Sequence, residues 1–532
     1  MKRGLKLLLF FPLLSACVLS EKEAPVEKAE MVSVVFNGKT IPPTKVPMGV
    51  SGSVEYVLTF TKNLDINDFN TALVTCNGTS LSAFDFSAEG KELHIKSNTA
   101  LPFFKKISIN LYAGKNFGVN LSENYKLSFV TEYDPSDKFE RISKDELFEK
   151  VQKQTFSYFW DYAHPTCGLA RERLGSGNTV TTGGSGFGLM CIPVGVEHGW
   201  ITREQGAQHL LKAVTFLGEK AQRFHGAWPH WLDGQSGKAL AFGTYDDGAD
   251  LVETAFLVEG LLTVKEYFDG NTPVENELRN RIRTLWEEVE WTWFQNGGQK
   301  KLFWHWSENY GWKMNMPISG WNEGLIVYVL AAASPTFPIE KDVYEQGWAH
   351  DGNIYFNPRS PMFFAHYSFL GLDPRNLKDK YADYWQVNVA HATANYEHCA
   401  NSSGDYGYSS RCWGLTASDY YKGYTASSPS NDTGTVAPTA SLADFPYLSE
   451  HSEDAMEYFY YVLGDRLWGE YGFKDSFALK EQWFASSYIA IDQGPIVIMM
   501  ENYRTGLLWN YFMRNEDVRR GLDKLGFTYE QF

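Results

Sequence analysis

The sequence predicts a mainly α-helical protein in which an (α/α)6 toroid, a barrel of six helix pairs, follows a small all-β, immunoglobulin-like sandwich. All 17 tryptophans lie at or beyond Trp160, so the two parts of the chain differ in composition. Before that point, short β-rich runs alternate with turn residues, which is typical of an antiparallel sandwich. From Ser143 onward, amphipathic helical patterns alternate with patterns that are apolar on most faces.

Residues 1–16 are predicted to be a lipoprotein signal peptide. A basic start precedes an apolar run that is too short to span a bilayer as a mature helix. The sequence LSAC, Leu14 to Cys17, resembles the bacterial lipobox, in which Cys17 becomes the lipidated first residue. Residues 17–31 then read as a tether. We expect a lipid anchor in the bacterial cell envelope, at its periplasmic face or at the cell surface, and no other membrane contact. The alternative is an ordinary signal peptide with an incidental cysteine.

The charge balance restricts the class of partner. The formal net charge is −16 at pH 7 and becomes −19 if cleavage before Cys17 removes three basic residues. Nucleic-acid binding needs a basic patch, so this balance argues against it and favours a neutral ligand. The cysteines show neither metal-site spacing nor a disulfide framework, and pairing of Cys399 with Cys412 stays open. We expect no metal, no cofactor and a monomer.

The domain boundaries follow from the same patterns. Residues 32–135 form the predicted immunoglobulin-like domain, which carries no cluster of catalytic residue types and is interpreted as a spacer. Residues 140–532 form the predicted (α/α)6 domain. Helices that are apolar all round must be buried, so they are expected to form an inner barrel that the amphipathic helices surround. The pairing is least regular between residues 340 and 400, where the helical patterns are short.

Carboxylates are concentrated at the start of one apolar segment, GTYDDGADLVETAFLVEGLL, which begins at Gly243. Asp246, Asp250 and Glu253 have the spacing i, i+4, i+7, which predicts that they share one face of a helix at the mouth of the barrel. The helix dipole favours acids near its N-terminus. Capping explains one or two of them, but not Glu253, which lies two turns into the apolar pattern.

A fourth acid opens another apolar helix. The sequence SGWNEGLIVYVL places Glu323 between Asn322 and Gly324. Cleavage of a glycosidic bond needs one carboxylic acid to protonate the leaving oxygen and a second carboxylate to activate water or attack the sugar. The alternative for Glu323 is a first-turn residue that stabilises the helix dipole. The predicted catalytic residues are therefore Glu323, Asp246, Asp250 and Glu253.

Aromatic residues around these acids are the candidates for sugar binding, because aromatic faces stack against sugar rings. The aromatic share of the chain is 16%. A long Gly/Ser/Tyr-rich stretch after residue 400 adds candidates, since long loops in compact domains are often functional. Core packing is the alternative for each aromatic residue. The predicted substrate-binding residues are Tyr245, Trp228, Trp231, Trp304, Trp306, Trp321, His366, Tyr367, Arg411 and Trp413.

The motifs YDDGADLVETAFLVEGLL, GWNEG, FFAHYSFLGLDP and DQGPIVIMMENYRTGLLW together resemble the bacterial glucoamylase-like family, glycoside hydrolase family 144. The resemblance covers the chain from about Lys144 to the C-terminus. It implies an (α/α)6 barrel, an inverting mechanism and a β-1,2-linked glucan or sophoro-oligosaccharide as substrate. It also implies that Glu323 is the general acid and that Asp246, or failing that Asp250, orients the water. Endo and exo action are both left open.

Two other kinds of function remain. The same toroid occurs in α-glucan hydrolases and polysaccharide lyases, but lyases act on uronic acids and need basic or Tyr/His machinery, which the acidity of the chain does not favour. A non-catalytic, glycan-binding surface lipoprotein is the other alternative. Such a binder has no need of carboxylates buried in its cleft.

Overall fold

The computed structural model describes residues 28–530, without the side chains of residues 403 and 404. The predicted signal peptide, Cys17 and most of the tether lie outside the described residues. Contacts within the chain define two compact units. One contains residues 28–45, 51–102 and 107–128, and the other contains residues 46–50, 103–106 and 129–530.

The first unit is built from β-sheets whose strands are antiparallel except for the parallel pair β1 and β10. A five-stranded sheet has the order β3-β2-β4-β7-β6, a second sheet has the order β11-β8-β5, and β1 and β9 flank β10 in a third. Side chains of β4 alternate between half-buried and buried, as expected where one face of a sheet covers a core. The strands are β1 Lys28–Ala29, β2 Met31–Phe36, β3 Lys39–Ile41, β4 Glu55–Phe60, β5 Val74–Asn77, β6 Phe84–Glu89, β7 Glu92–Ser97, β8 Lys106–Leu111, β9 Gly114–Asn116, β10 Val119–Leu121 and β11 Tyr125–Val130.

The second unit is mainly helical. Its α-helices are α1 Lys144–Trp160, α2 Thr182–Glu197, α3 Arg203–Glu219, α4 Leu251–Tyr267, α5 Pro273–Glu287, α6 Leu325–Ala333, α7 Lys341–Gly347, α8 Tyr384–Asn401, α9 Ser403–Tyr406, α10 Pro438–Leu442, α11 Ser449–Glu457, α12 Gly464–Leu467, α13 Ala490–Arg504, α14 Leu507–Arg514 and α15 Glu516–Leu525. Short strand pairs connect them: β12 Thr179–Thr181, β13 Trp231–Asp233, β14 Ala239–Leu240, β15 Ala249–Asp250, β16 His305–Trp306, β17 Ala417–Tyr420, β18 Gly423–Ala426, β19 Trp468–Gly469, β20 Gly472–Phe473, β21 Phe477–Ala478 and β22 Trp483–Phe484.

Two kinds of helix are present in this unit. Helices α2, α4, α6, α10 and α13 are buried on nearly all faces, whereas α1, α3, α5 and α15 each expose one polar face. Helix α2 packs against both α4 and α13. A Cβ on Gly260 would lie 2.2 Å from the carbonyl oxygen of Gly186, so α4 and α2 touch backbone to backbone. This close packing brings the N-terminal ends of α2 and α4 together.

The apolar pattern of the segment MFFAHYSFLG predicts an inner α-helix, and this prediction is wrong. It forms two 3-10 turns, Met362–Ala365 and Tyr367–Phe369. Tertiary hydrogen bonds replace helical ones here: Met362 N–H donates to the Leu415 carbonyl at 3.2 Å and Phe363 N–H to Thr416 Oγ1 at 3.1 Å. These bonds come from a distant part of the chain and leave no local trace in the sequence.

Two further features bear on the expectations from sequence. Cys399 and Cys412 are both buried and carry free thiols. Within residues 28–530, no helix combines the length and the apolar character that crossing a bilayer requires.

Candidate active site

The acids at the start of α4 converge, but not on one helical face as their spacing predicted. The helix begins only at Leu251, Asp250 is its N-cap, and Asp246 lies in the loop before it. Gly248 lets the chain pass close to β16, because a Cβ at this position would lie 2.4 Å from the Trp306 carbonyl oxygen. The chain instead pairs β15 with β16, which aligns Asp250 with His305.

Asp250 is buried and all its acceptor positions are used. Its Oδ1 accepts the N–H groups of Val252 at 3.0 Å and Glu253 at 2.9 Å, which caps α4. Its Oδ2 faces His230 Nδ1 at 3.2 Å and His305 Nε2 at 3.4 Å. Asp250 is therefore a structural anchor for the site rather than a residue with a free oxygen for a reactant.

Two histidines separate the three carboxylates. His305 Nε2 lies 3.2 Å from Asp246 Oδ2 as well as near Asp250, and His230 Nε2 lies 3.9 Å from Glu253 Oε1. Acids and imidazoles therefore alternate, in the order Asp246, His305, Asp250, His230, Glu253. We call these five side chains the acid–imidazole chain. Neither histidine was among the predicted site residues, and their position beside tryptophans was the only signal in the sequence.

The charges in the acid–imidazole chain set its protonation. Burial acts to lower the pKa of each imidazole, but the adjacent carboxylates outweigh it and raise the pKa of His230 to about 9 and that of His305 to about 10. Burial likewise opposes ionisation of Asp250, yet hydrogen bonds from both imidazoles hold the pKa of that carboxyl well below its usual range. At neutral pH the two histidines are cations that keep Asp250 charged.

Glu253 is held at the point where α4 meets α2. Its Oε2 accepts the N–H of Gly183 at 2.7 Å, and a Cβ on Gly183 would lie 2.6 Å from that oxygen, so only glycine allows this contact. Burial is the main cause that raises the pKa of Glu253 to about 7, and the charge of Asp250 adds to it.

Glu323 lies just before α6 and faces the same group of charges. The Ser368 hydroxyl donates to its carbonyl oxygen and so ties this turn to the 3-10 segment Tyr367–Phe369. Burial, together with the negative charges of Asp250 and Glu253, raises the pKa of the Glu323 carboxyl to about 8. Glu323 therefore holds a proton at neutral pH, while Asp250 does not.

One oxygen of the cluster has no partner. Asp246 Oδ1 is buried and makes no hydrogen bond to any described residue, although Oδ2 of the same carboxylate is paired with His305. A buried acceptor without a partner is costly unless a bound molecule satisfies it. Asp246 thus offers what Asp250 lacks, an oxygen that is free for a reactant.

A cavity of about 400 Å³ opens beside these residues. Of the predicted site residues, Glu253, Trp231 and Tyr367 line it. The remaining lining residues were not predicted from sequence: Glu172, Arg173, Thr181, His230, Phe242, Phe363, Ala417, Tyr424, Ile489 and Ile491. Phe242 and Tyr424 are each 50% exposed, which leaves aromatic surface open to a ligand.

Three predicted aromatic residues lie near the acids but not in the cavity lining. Trp306 alternates with His305 on β16 and packs edge-on against His225 and Trp293. Trp304 stacks on His305, with ring centroids 5.9 Å apart. Tyr245 packs against Tyr310. These three residues are half-buried supports of the loops that carry the acids.

The structure corrects five of the substrate-binding predictions. Trp228 and Trp413 are fully buried, and Trp321 and His366 are buried as well, so they have little or no surface for a sugar. His366 instead pairs with the buried Asp444, with Nε2 and Oδ1 2.7 Å apart. Arg411 is exposed, but it lies over the ring of Tyr458 and does not line the cavity.

His230, Asp246 and Asp250 also offer three donor atoms within 4.8 Å of one another, a spacing at which a metal ion could be held. His230 carries a raised pKa and uses Nδ1 toward Asp250. A metal would have to displace a proton from that imidazole before it could bind. We therefore assign this cluster to pairing of the charged side chains with one another.

Comparison with known proteins identifies relatives of the second unit. A protein-family model described as "Putative glucoamylase" matches residues 315–516. A curated relative from Parabacteroides distasonis, named exo beta-1,2-glucooligosaccharide sophorohydrolase (non-reducing end), is 41% identical over 446 residues, which is 77% of this chain. The chain spans 61% of the length of that relative.

Two solved structures are similar over most of the chain. The endo-beta-1,2-glucanase from Chitinophaga pinensis, solved with sophorotriose and glucose, is 48% identical with a TM-score of 0.71, covering 73% of this chain and 99% of its own. The beta-1,2-glucanase from Parabacteroides distasonis is 33% identical with a TM-score of 0.71, covering 93% of this chain and 73% of its own.

Replacing His305 with glutamine should destabilise the protein in a pH-dependent way. The folded pKa of His305, about 10, lies above the ordinary 6.5, so its contribution to stability is complete below pH 6.5 and is lost as the pH rises toward 10. Removing one member of a buried ion pair costs about 3–5 kcal/mol. Thermal unfolding from pH 6 to pH 10 should show a deficit that shrinks with rising pH.

The matched control is His350→Gln, since His350 is exposed and also pairs with an acid, Asp351. Its unfolding midpoint should follow that of the wild type throughout. A deficit of His305→Gln that stays constant across the pH range would show that His305 contributes by packing and not by its charge.

Proposed function

The chain belongs to the bacterial glucoamylase-like family, glycoside hydrolase family 144, and on that premise we propose that it hydrolyses β-1,2-linked glucan or sophoro-oligosaccharides. The named relatives act on β-1,2-glucans and sophoro-oligosaccharides. The observation that carries the proposal within this chain is a protonated carboxyl, Glu323, that faces the ionised Asp250, in a cluster whose members His230 and Glu253 line the cavity. Two carboxyl groups in opposite protonation states are what glycosidic cleavage needs.

We also propose that the helical unit is an (α/α)6 barrel. Neighbouring inner elements pack in the order α13, α2, α4, α6 and the 3-10 turn Tyr367–Phe369, and α10 packs on α13. The His366–Asp444 pair joins the turn to the segment after α10 and so supports closure of the ring. In this arrangement Glu253 and Glu323 come from the N-terminal ends of two neighbouring inner helices, α4 and α6.

Glu323 is the proposed general acid. Because its pKa is raised to about 8, the carboxyl keeps its proton at neutral pH and can give it to the glycosidic oxygen as the C1–O bond breaks. The charges of Asp250 and Glu253 act on this carboxyl, and both favour its neutral form.

Asp246 is the proposed general base. Its Oδ2 is anchored by His305, and its unpartnered Oδ1 can take a proton from a water molecule while the water oxygen attacks C1. Direct attack by water inverts the anomeric centre. Asp250 positions both imidazoles, and Glu253 supports the contact between α4 and α2. In the part of the chain that the structure describes, neither of them has a buried oxygen without a partner, as Asp246 does.

A screen of linkage-defined glucans tests the proposed function. The full-length protein should release reducing ends from β-1,2-glucan and at most traces from β-1,3-, β-1,4- and α-1,4-glucans. Glu323→Gln serves as the matched inactive protein and excludes a contaminating hydrolase. Cleavage of α-1,4-glucan in preference to β-1,2-glucan, or unsaturated products typical of a lyase, would refute the proposal.

The roles of Glu323 and Asp246 can be separated with an activated substrate. Glu323→Gln should lose about 10²–10⁴-fold in kcat on β-1,2-glucan, because the acid is missing. The loss should be much smaller on 4-nitrophenyl β-sophoroside, whose leaving group needs little protonation. For the wild type on glucan, kcat should fall as the pH rises through about 8, where Glu323 loses its proton.

Asp246→Asn should be impaired on both substrates, because attack by water is still required. Two controls sharpen the comparison. Glu253→Gln alters a carboxyl whose pKa is raised and whose Oε2 accepts the Gly183 N–H. The decrease in kcat of this variant should be the same on both substrates. Asp492→Asn tests a buried acid near the cavity; if it abolishes turnover while Asp246→Asn does not, the base is not Asp246.

A further inference from the structure

We propose that Arg173 is a substrate-binding residue whose guanidinium, fixed by two carboxylates, donates hydrogen bonds to neutral hydroxyl groups of a glucosyl unit in the cavity. This inference rests on the proposed function and adds a determinant of substrate class to it. Arg173 is the only lysine or arginine among the residues that line the cavity. Nothing in the sequence pattern singled it out.

The backbone around Arg173 is clamped on both sides. Glu172 N–H donates to the Thr179 carbonyl at 3.0 Å, and Leu174 N–H donates to the Tyr488 carbonyl at 3.0 Å. Arg173 itself bridges to Ile489, whose side chain also lines the cavity. The position of the Arg173 Cα is therefore set by two other segments of the helical unit.

Two nitrogens of the guanidinium, on different sides of the group, hold the side chain in place. Nε donates to both carboxylate oxygens of Glu172, at 2.8 and 3.1 Å, and Nη1 donates to both oxygens of Asp419, at 3.0 and 3.1 Å. Nη2 makes no hydrogen bond to the described residues. Since 34% of the side chain is exposed, this nitrogen has donors left for a ligand.

The carboxylates that hold Arg173 are themselves held. Asp419 Oδ2 accepts the Ser487 hydroxyl at 2.5 Å, and Asp419 N–H donates to Asp475 Oδ2 at 2.7 Å. Asp475 is buried and hydrogen-bonded to the equally buried Asp492. This second layer prevents the guanidinium from swinging toward solvent, so a ligand would meet donors that are already oriented.

The charge around Arg173 indicates the class of ligand. Glu172 and Asp419 compensate its single positive charge before any ligand arrives. An anionic sugar, such as a uronic acid, would face these carboxylates and those of the acid–imidazole chain and would be repelled. Neutral hydroxyl oxygens can accept from Nη2 without bringing a charge. The cavity therefore selects neutral glucans over acidic ones, and Arg173 orients the neutral sugar in it.

Arg173→Lys tests the inference, because lysine keeps the positive charge but cannot place hydrogen-bond donors on different sides of a planar group. The value of kcat/KM on β-1,2-glucan should fall by about 10- to 100-fold, the effect expected from losing a hydrogen bond to a charged group. Arg203→Lys is the matched control: Arg203 also pairs bidentately, with Glu275, is 39% exposed and lies away from the cavity. It should keep wild-type kcat/KM.

Folding is checked by thermal unfolding of both variants, and Arg173→Lys is compared at temperatures where both are folded. If folded Arg173→Lys keeps wild-type kcat/KM and wild-type affinity for sophorotriose in calorimetry, the inference is wrong. A wild type that cleaves no β-1,2-glucan refutes the proposed function instead. In that case, the affinities of the wild type and of Arg173→Lys are compared for a neutral glucan that the wild type does cleave or bind. A lower affinity of Arg173→Lys supports the inference, and an unchanged affinity overturns it.

Discussion

Burial of three carboxylates at the start of one inner helix is the constraint on which the rest of this site depends. A buried carboxylate without partners is so unfavourable that it takes up a proton or is not buried at all. Here His305 and His230 separate the acids and keep Asp250 charged, with its pKa held well below its usual range. Asp250 in turn caps α4, so the start of the helix and the charge balance of the cluster depend on the same side chain.

This arrangement divides the acids by environment and not by residue type. The acids next to the imidazoles have a cationic partner, whereas Glu323 faces mainly negative charge and burial, which raise its pKa to about 8. Glycine allows the contacts that make this division: Gly183 admits the Glu253 carboxylate, and Gly248 admits the strand that carries His305. The N-terminal ends of α4 and α6 therefore bring an ionised carboxylate, Asp250, and a protonated carboxyl, Glu323, into one group of charges.

Local patterns predicted the residues that come from short continuous segments. The charges of Asp250 and Glu253 do act on Glu323, and the two kinds of helix are present. The start of α4 was predicted wrongly, because a spacing of four and seven residues is also compatible with a loop that Gly248 and Asp250 shape through tertiary contacts. Buried and exposed tryptophans could not be told apart, since Trp228 and Trp231 occur in one stretch and differ only in what packs on them. Arg173, Asp419 and Ser487 are brought together by the fold alone.

The central claim is that a protonated Glu323 acts on the leaving oxygen and that Asp246 acts on a water molecule. The most direct test is time-resolved proton NMR of the first sugar released from β-1,2-glucan, recorded before mutarotation. Direct attack by water predicts that the new reducing end appears in the α configuration and only later equilibrates to β. A first product in the β configuration would show that a carboxylate attacks the sugar itself and would contradict the assigned roles.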